Sequence, residues 1–600
     1  MENEMDFYDF YTGQEFFAYK YLGAHVADKG VVFRTFAPNA KRISVIGDFN
    51  NWQETPMQKV YDGNFWECHI ENATQGMKYK YRIYNKTGRY IDHCDPYAFY
   101  ADLRPQTASI IYPLTDNTVQ GKRNCKRKAN ADDLPLNIYE IHAGSWKKPA
   151  DTEESWYTYR ELADLLIPYL QENGYNFVEI MPLNEYPCDA SWGYQSTGFF
   201  SPTSRYGTPD DLRYFIDKCH LENIGVLLDF VPVHFALNDY ALLNYDGTAL
   251  FEYPHSDVGI NEWGSCNFMH SRGEVRSFLQ SSACYWLNEF HFDGLRVDAV
   301  SNLLYWQGNP ERGENKQAVQ FIKNMNKGLK ELFPSALLIA EDSSTYKGVT
   351  DTVENDGLGF DYKWDLGWMN DTLSFLQSVP DTRELHYHKL TFSMHYFYNE
   401  KFLLPLSHDE VVHGKATIVQ KMNGADYEEK FAQARTLYMY MYAHPGKKLN
   451  FMGNEIAHMR EWDEKRQQDW DLLNFPAHDA FHHFMIDLNH IYLKNPALYE
   501  NDYDRKGFEW VDCHSEELVV YSFLRKSKGQ KILAVFNFSD KDIEKYKIEI
   551  PTAHRAVLLL NSDWECYGGT TIQKRNSITL KQASMKINVK RFSAVFFEIK

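Results

Sequence analysis

Positive charge is in short supply in this 600-residue chain: 63 Lys and Arg stand against 82 Asp and Glu, a formal net charge of −19. Such a surface repels nucleic acid and anionic lipid, so neither is expected as a partner. No stretch of about 18 consecutive apolar residues occurs, which argues against a membrane span. The opening MENEMDFYDFYTGQEFF lacks the basic start and apolar stretch of an export signal, so a cytoplasmic location is expected. Cysteines number nine, are scattered, and form no C-x-x-C pair or zinc-like spacing; they read as reduced thiols, not as a disulfide framework or zinc site. Internal repeats and low-complexity tracts are also missing.

The length exceeds one hydrophobic core and suggests about two to four domains. From about 31 to 83, short runs alternate apolar and polar residues between turn signals (VVFRTF, RISVIGDFNNW, NFWECHI, KYKYRI), the pattern of an antiparallel β-domain. It ends in the polar stretch DNTVQGKRNCKRKANADD, whose basic run at 122–128 fits a solvated linker better than a ligand patch. From 136 the texture becomes strand, helix, strand. LNIYEIHAGSW precedes the helical pattern YRELADLLIPYLQENG, and FVEIMPL precedes TPDDLRYFIDKCHLENI, with Thr208 as N-cap and Pro209 at the first helical position. Eight strand candidates between about 136 and 490 match a (β/α)8 barrel. A doubly wound sheet fits less well, because no glycine-rich phosphate loop follows the first strand. After about 497 alternation returns in ELVVYSFLRK, KILAVFNFS and RFSAVFFEI, as in a β-sandwich. The expected division is 1–112 with an N-terminal β-sandwich, 113–135 linker, 136–496 barrel and 497–600 C-terminal β-sandwich.

Four apolar runs in the barrel region each end in an acid: VLLDFVPVH (226–234), DGLRVDAV (293–300), LLIAEDS (337–343) and FLLPLSHDE (402–410). Strands this apolar are buried on both faces, and a carboxylate at their end is costly unless that end opens into a polar site. Taken singly, each acid reads as an ordinary surface residue. Together, Asp229, Asp298, Glu341 and Asp409 are expected at one barrel mouth. Clustered carboxylates could hold a hard cation, but Arg296, His234 and His408 beside them would repel it. Glycoside cleavage fits better, since it needs one carboxylate to attack the sugar and a protonated one to release the leaving oxygen. Arg296, on the strand face of Asp298, is expected to keep that aspartate ionised. The pleat is expected to point Asp342 away from Glu341.

DFVPVH, GLRVDAV, AEDS and SHDE, in this order, resemble the four signature segments of the α-amylase superfamily. Within it the chain is most similar to the 1,4-α-glucan branching enzymes, through YEIHAGSW (139–146), SWGYQSTGFFSPTSRYG (191–207), LPLSHDEVVHGK (404–415), FMGNE (451–455) and LNSDWECYGG (560–569). GDFNNW (47–52) resembles the carbohydrate-binding β-module that precedes the barrel in these enzymes. The resemblance implies that Asp298 is the nucleophile, Glu341 the general acid and base, and Asp409 the third carboxylate gripping sugar hydroxyls. It implies that Asp229, His234, Arg296 and His408 line the cleaved glucose and that Tyr194 stacks beneath it. The carboxyls of residues 298 and 341 are then expected about 5 to 5.5 Å apart. The implied reaction moves a segment of an α-1,4 glucan, with retention, onto a 6-hydroxyl to make an α-1,6 branch. Glycogen-, amylose- or amylopectin-like chains would be donor and acceptor, with no cofactor and no metal.

Three positions depart from the commoner family wording: Val233 and Asn454 where glycines are expected, and Asp342 where a Glu is expected. None removes a needed charge. Two other classes remain: a hydrolase with the same first half-reaction, and a silent glucan-binding scaffold, which the three retained carboxylates oppose. Trp52 and Trp66 fit a sugar platform or a core equally, His142 and His413 fit substrate contact or loop bonding, and Trp462 reads as packing.

Overall fold

The computed structural model describes residues 5–114, 131–150, 152–551, 553–574 and 576–600. The basic run at 122–128 lies outside the described residues. Leu-, Ile- and Val-rich runs form eight parallel strands that close a barrel in chain order: β1 (Asn137–Ile141), β2 (Phe177–Ile180), β3 (Gly225–Phe230), β4 (Gly294–Val297), β5 (Leu337–Ala340), β6 (Tyr362–Trp364), β7 (Phe402–Leu406) and β8 (Lys447–Phe451). Their residues are buried throughout because helices cover one face and the barrel interior the other.

Helices α1 (Tyr159–Asn173), α2 (Pro209–Leu221), α3 (Gly273–Glu289), α4 (Lys316–Leu332), α5 (Leu366–Gln377), α6 (Tyr427–Ala443) and α7 (Pro476–Lys494) form the outer ring. Local chemistry sets their starts. Thr158 and Glu161 cap α1 reciprocally, and Thr208 and Asp211 do the same for α2, where Pro209 opens the helix. α1 stops at Gly174, whose φ of 72° takes a conformation that a Cβ would penalise. One crossover differs from the eight-unit reading: β5 to β6 runs without an α-helix, through a loop holding only the short 3-10 turn Val353–Asn355. Its sequence, DSSTYKGVTDTVENDGLG, has the turn formers and no apolar stripe that a helix would need.

The N-terminal module is two antiparallel sheets packed on Phe33, Val45, Tyr79 and Tyr81. Before it, the helix Phe7–Thr12 lies on α3, where Ser277, Ser281 and Gln280 bond to the backbone of residues 10 to 18. The C-terminal region pairs a six-stranded sheet, Phe508–Ser515 to Ser593–Ile599, with the two strands Ile543–Glu549 and Ser584–Val589 over an apolar interior. Among the described residues, no helix is long and apolar enough to cross a membrane.

Candidate active site

The acidic strand ends meet at the carboxyl mouth of the barrel, and Arg296 on β4 is their hub. In the ladder Asp229 on β3 stands opposite Arg296, so both project inward at one level. Arg296 Nη1 donates to both Asp229 oxygens at 2.6 and 2.7 Å and to Asp298 Oδ1 at 3.0 Å. Its Nη2 lies 2.9 Å from Glu341 Oε2. Trp364 of β6 backs the guanidinium at 4.4 Å from its ring centroid. Asp298 and Glu341, one residue beyond β4 and β5, thus hang from the two terminal nitrogens of one planar group. Glu341 is further held by the Ala299 amide at 2.8 Å. The next residue, Asp342, turns the other way to a buried Lys363 Nζ at 2.8 Å.

Sharing has an electrostatic consequence. One guanidinium cannot neutralise three carboxylates in a water-poor site. Burial raises the Asp298 carboxyl well above the ordinary range, and Glu341, Asp229 and Asp409 add to this against the pull of Arg296. The expectation that Arg296 keeps Asp298 ionised meets this opposing push, and the same guanidinium is divided among Asp229, Asp298 and Glu341. Burial raises Asp229 too.

The opposite wall comes from β7. His408 Nδ1 donates to Glu140 Oε1 at 2.5 Å, and the His408 amide donates to Glu140 Oε2 at 3.0 Å. Burial works against the imidazolium, but Glu140 and then Asp409 raise His408 to about 9, so it is cationic at neutral pH. Asp409 lies 3.5 Å from His408 Nε2 with its side chain 46% exposed to the cleft. Burial would raise that carboxyl, yet His408, Arg296, Lys415 and His413 outweigh it and hold it low. Tyr194 joins the two halves: its hydroxyl donates to Asp229 Oδ2 at 2.5 Å and meets His408 Nε2 at 3.3 Å, and its ring stacks on His408 at 5.7 Å.

His234 sits at the edge of this knot. Its Nε2 donates to the Tyr194 carbonyl at 3.1 Å, and burial lowers its pKa to about 4, so it is neutral. Two residues escaped the sequence reading. Glu140 on β1 anchors His408, and Glu179 on β2, its ladder partner, is buried with no hydrogen-bond partner on either oxygen. Burial and then Glu140 raise Glu179 well above the carboxylate range, which keeps it protonated. The available signal was an acid inside an apolar strand, YEI and VEI.

The other singled-out residues also find places. His142 is a buried loop histidine bonded to Ser145 Oγ, whereas His413 is exposed and stacks on Trp192 at 5.3 Å. Trp462 packs on Trp192 and donates to Ser145 Oγ. Trp66 is buried and donates to the Ala37 carbonyl, while Trp52 remains 39% exposed. Val233 packs in the core, and Asn454 donates to the Leu406 carbonyl at the end of β7.

Comparison with known proteins adds to this geometry. A family model described as Carbohydrate-binding module 48 (Isoamylase N-terminal domain) matches residues 21–98, and one described as Alpha amylase, C-terminal all-beta domain, matches residues 510–600. The 1,4-alpha-glucan branching enzyme GlgB of Fusobacterium nucleatum is 44% identical over 615 residues, covering 100% of this chain and 99% of that relative. The enzyme of the same name from Bacillus subtilis is 42% identical over 592 residues, covering 97% and 94%. A solved pullulanase from Anoxybacillus, complexed with maltotetraose, shares the fold with a TM-score of 0.74 at 16% identity, covering 96% of this chain and 87% of that one. A barrel mouth lined by these acids, with full-length identity above 40% to several relatives of one name, places the chain in the 1,4-alpha-glucan branching enzyme family.

Proposed function

We propose that this chain cleaves an α-1,4 linkage in a glucan and transfers the released segment to a 6-hydroxyl, forming an α-1,6 branch. The observation that carries the chemistry is the bridging of Asp298 and Glu341 by the two ends of one guanidinium. Glu341, as general acid, gives a proton to the glycosidic oxygen entering the site. As that oxygen departs with the proton, Asp298, left facing Arg296, attacks the anomeric carbon and forms a covalent glucosyl ester. Glu341, now a carboxylate, takes the proton of the incoming 6-hydroxyl, whose oxygen displaces Asp298. Two inversions retain the α configuration. Asp409, exposed to the cleft, grips sugar hydroxyls. Tyr194, fixed by Asp229 and His408, lies beneath the cleaved ring, and His234, Asp229, Arg296 and His408 line it.

Donor and acceptor are both α-glucan chains of the glycogen, amylose or amylopectin type, met in the cytoplasm. Residues 1–112, 136–496 and 497–600 form the module-bearing region, the catalytic barrel and the C-terminal sandwich, joined at 113–135. Incubation with amylose tests the reaction: its iodine colour falls, and a debranching hydrolase then releases the transferred segments as linear chains. Loss of colour with no debranching-sensitive linkages points instead to plain hydrolysis.

A further inference from the structure

We infer that Trp263, which none of the catalytic contacts includes, is a platform on which a glucosyl ring of the bound glucan stacks. This rests on the proposed reaction for the nature of the ligand. The indole is 46% exposed, and its inner side packs on the His234 ring at 5.5 Å. His234 in turn bonds to the Tyr194 carbonyl, and the Tyr194 hydroxyl is part of the Asp229–Arg296–His408 knot. Trp263, half-exposed, therefore reaches the Arg296 hub in three contacts, through His234 and then Tyr194.

Its loop is tied down in a way that an idle surface loop does not need. Residues His234–Phe235 pair antiparallel with Cys266–Asn267. Asn261 Oδ1 accepts from the amides of Trp263 and Ser265. Gln195 Nε2 donates to the Trp263 carbonyl at 3.1 Å, and Gln307 Nε2 donates to the carbonyls of Asp257 and Ile260. Gln195 belongs to the same tetrapeptide as Trp192 and Tyr194. Within it Gly193 has φ of 98°, and a Cβ there would lie 2.6 Å from the Pro182 carbonyl oxygen, so the chain packs closely against Pro182 at this point.

An exposed indole forgoes the gain of burial. Held immobile, it offers a flat apolar face whose ordering cost is already met before a ligand arrives. The face of a pyranose ring, lined by C–H groups, fits that surface. The ring could come from the donor or the acceptor chain.

The test uses the full-length protein and its W263A and W263Y variants on amylose, with thermal midpoints recorded in parallel. W263A should raise KM about tenfold with kcat changed far less and the midpoint unmoved, and W263Y should restore most of the loss. A raised KM at an unchanged ratio of reducing ends to branches assigns the platform to the donor chain. A raised ratio assigns it to the acceptor, whose absence lets water reach the intermediate. Unchanged KM and ratio in W263A overturn the inference. Calorimetric binding of maltoheptaose separates this from the reaction itself: were the parent protein to form no α-1,6 linkage, the branching reading would fall, while weaker binding by W263A would still support the platform and equal binding would still refute it.

Discussion

At the scale of the residue, His408 makes the barrel mouth sensitive to alkali. Its pKa is raised from the ordinary 6.5 to about 9, so the stabilisation from pairing with Glu140 is fully present below about 6.5 and is lost as pH climbs through about 9. For this buried pair the loss amounts to roughly 3 kcal/mol. Urea titrations from pH 6 to 10 should show that decline, and His408→Gln should flatten it. Glu179 acts in the same sense, beginning at lower pH. Its carboxyl is held well above the ordinary 4.5, so ionisation of the unfolded chain erodes stability as pH rises from about 4.5. Glu179→Gln, which mimics the protonated form, should gain stability relative to the parent between pH 5 and 8 and keep branching within a few-fold. A large loss of activity would mean that the charge itself is used.

The sequence showed Asp229, Asp298, Glu341 and Asp409 because each ends an apolar run, where an acid has to be explained. Glu140 and Glu179 obey the same logic and, like Asp229, are followed by further apolar residues, yet they passed as strand. The upward shift of the Asp298 carboxyl was not legible at all, since it depends on burial and on how many carboxyls divide one arginine.

At the scale of the element, strands and capped helices followed from local pattern, but the helix-free crossover after β5 did not. Its order comes from distant anchoring: Glu400 accepts the amides of Gly348, Val349 and Thr350 at 2.7 to 3.0 Å and the Thr350 hydroxyl at 2.5 Å. A carboxylate serving four donors of one loop cannot be inferred from spacing. Glu400→Ala should strand those amides, cost about 2 to 3 kcal/mol by urea unfolding, and lower kcat by loosening the segment that continues from Glu341. A change below about 0.5 kcal/mol would show that water replaces the carboxylate without loss. Another anchor holds the loop after β7, where Glu461 accepts the amides of Gly414 and Ala416 close to Asp409.

At the scale of the whole molecule, the C-terminal sandwich is part of the barrel's packing. Asp502 lies between Lys447 of β8 at 3.1 Å and Arg525 of the sandwich at 2.6 Å, all three buried. The LNSDWECYGG segment lies on this seam: the Ser562 carbonyl accepts from Arg435 of α6, and the Tyr567 hydroxyl donates to Asp487 of α7. That motif docks the sandwich onto the barrel helices. Asp502→Ala leaves two buried cations without their carboxylate and should cost about 3 to 5 kcal/mol, seen as a fall in the unfolding midpoint of the full chain. An unchanged midpoint would mean that the sandwich docks by apolar contact alone.

The central claim is transfer through a covalent intermediate on Asp298. Proton NMR of amylose treated with the protein, with reducing ends counted in the same sample, tests it most directly. The account predicts that α-1,6 signals grow while reducing ends stay constant, and that Asp298→Ala produces neither change. Reducing ends that rise in step with bonds cut, or branches formed at near-normal rate by Asp298→Ala, would contradict it.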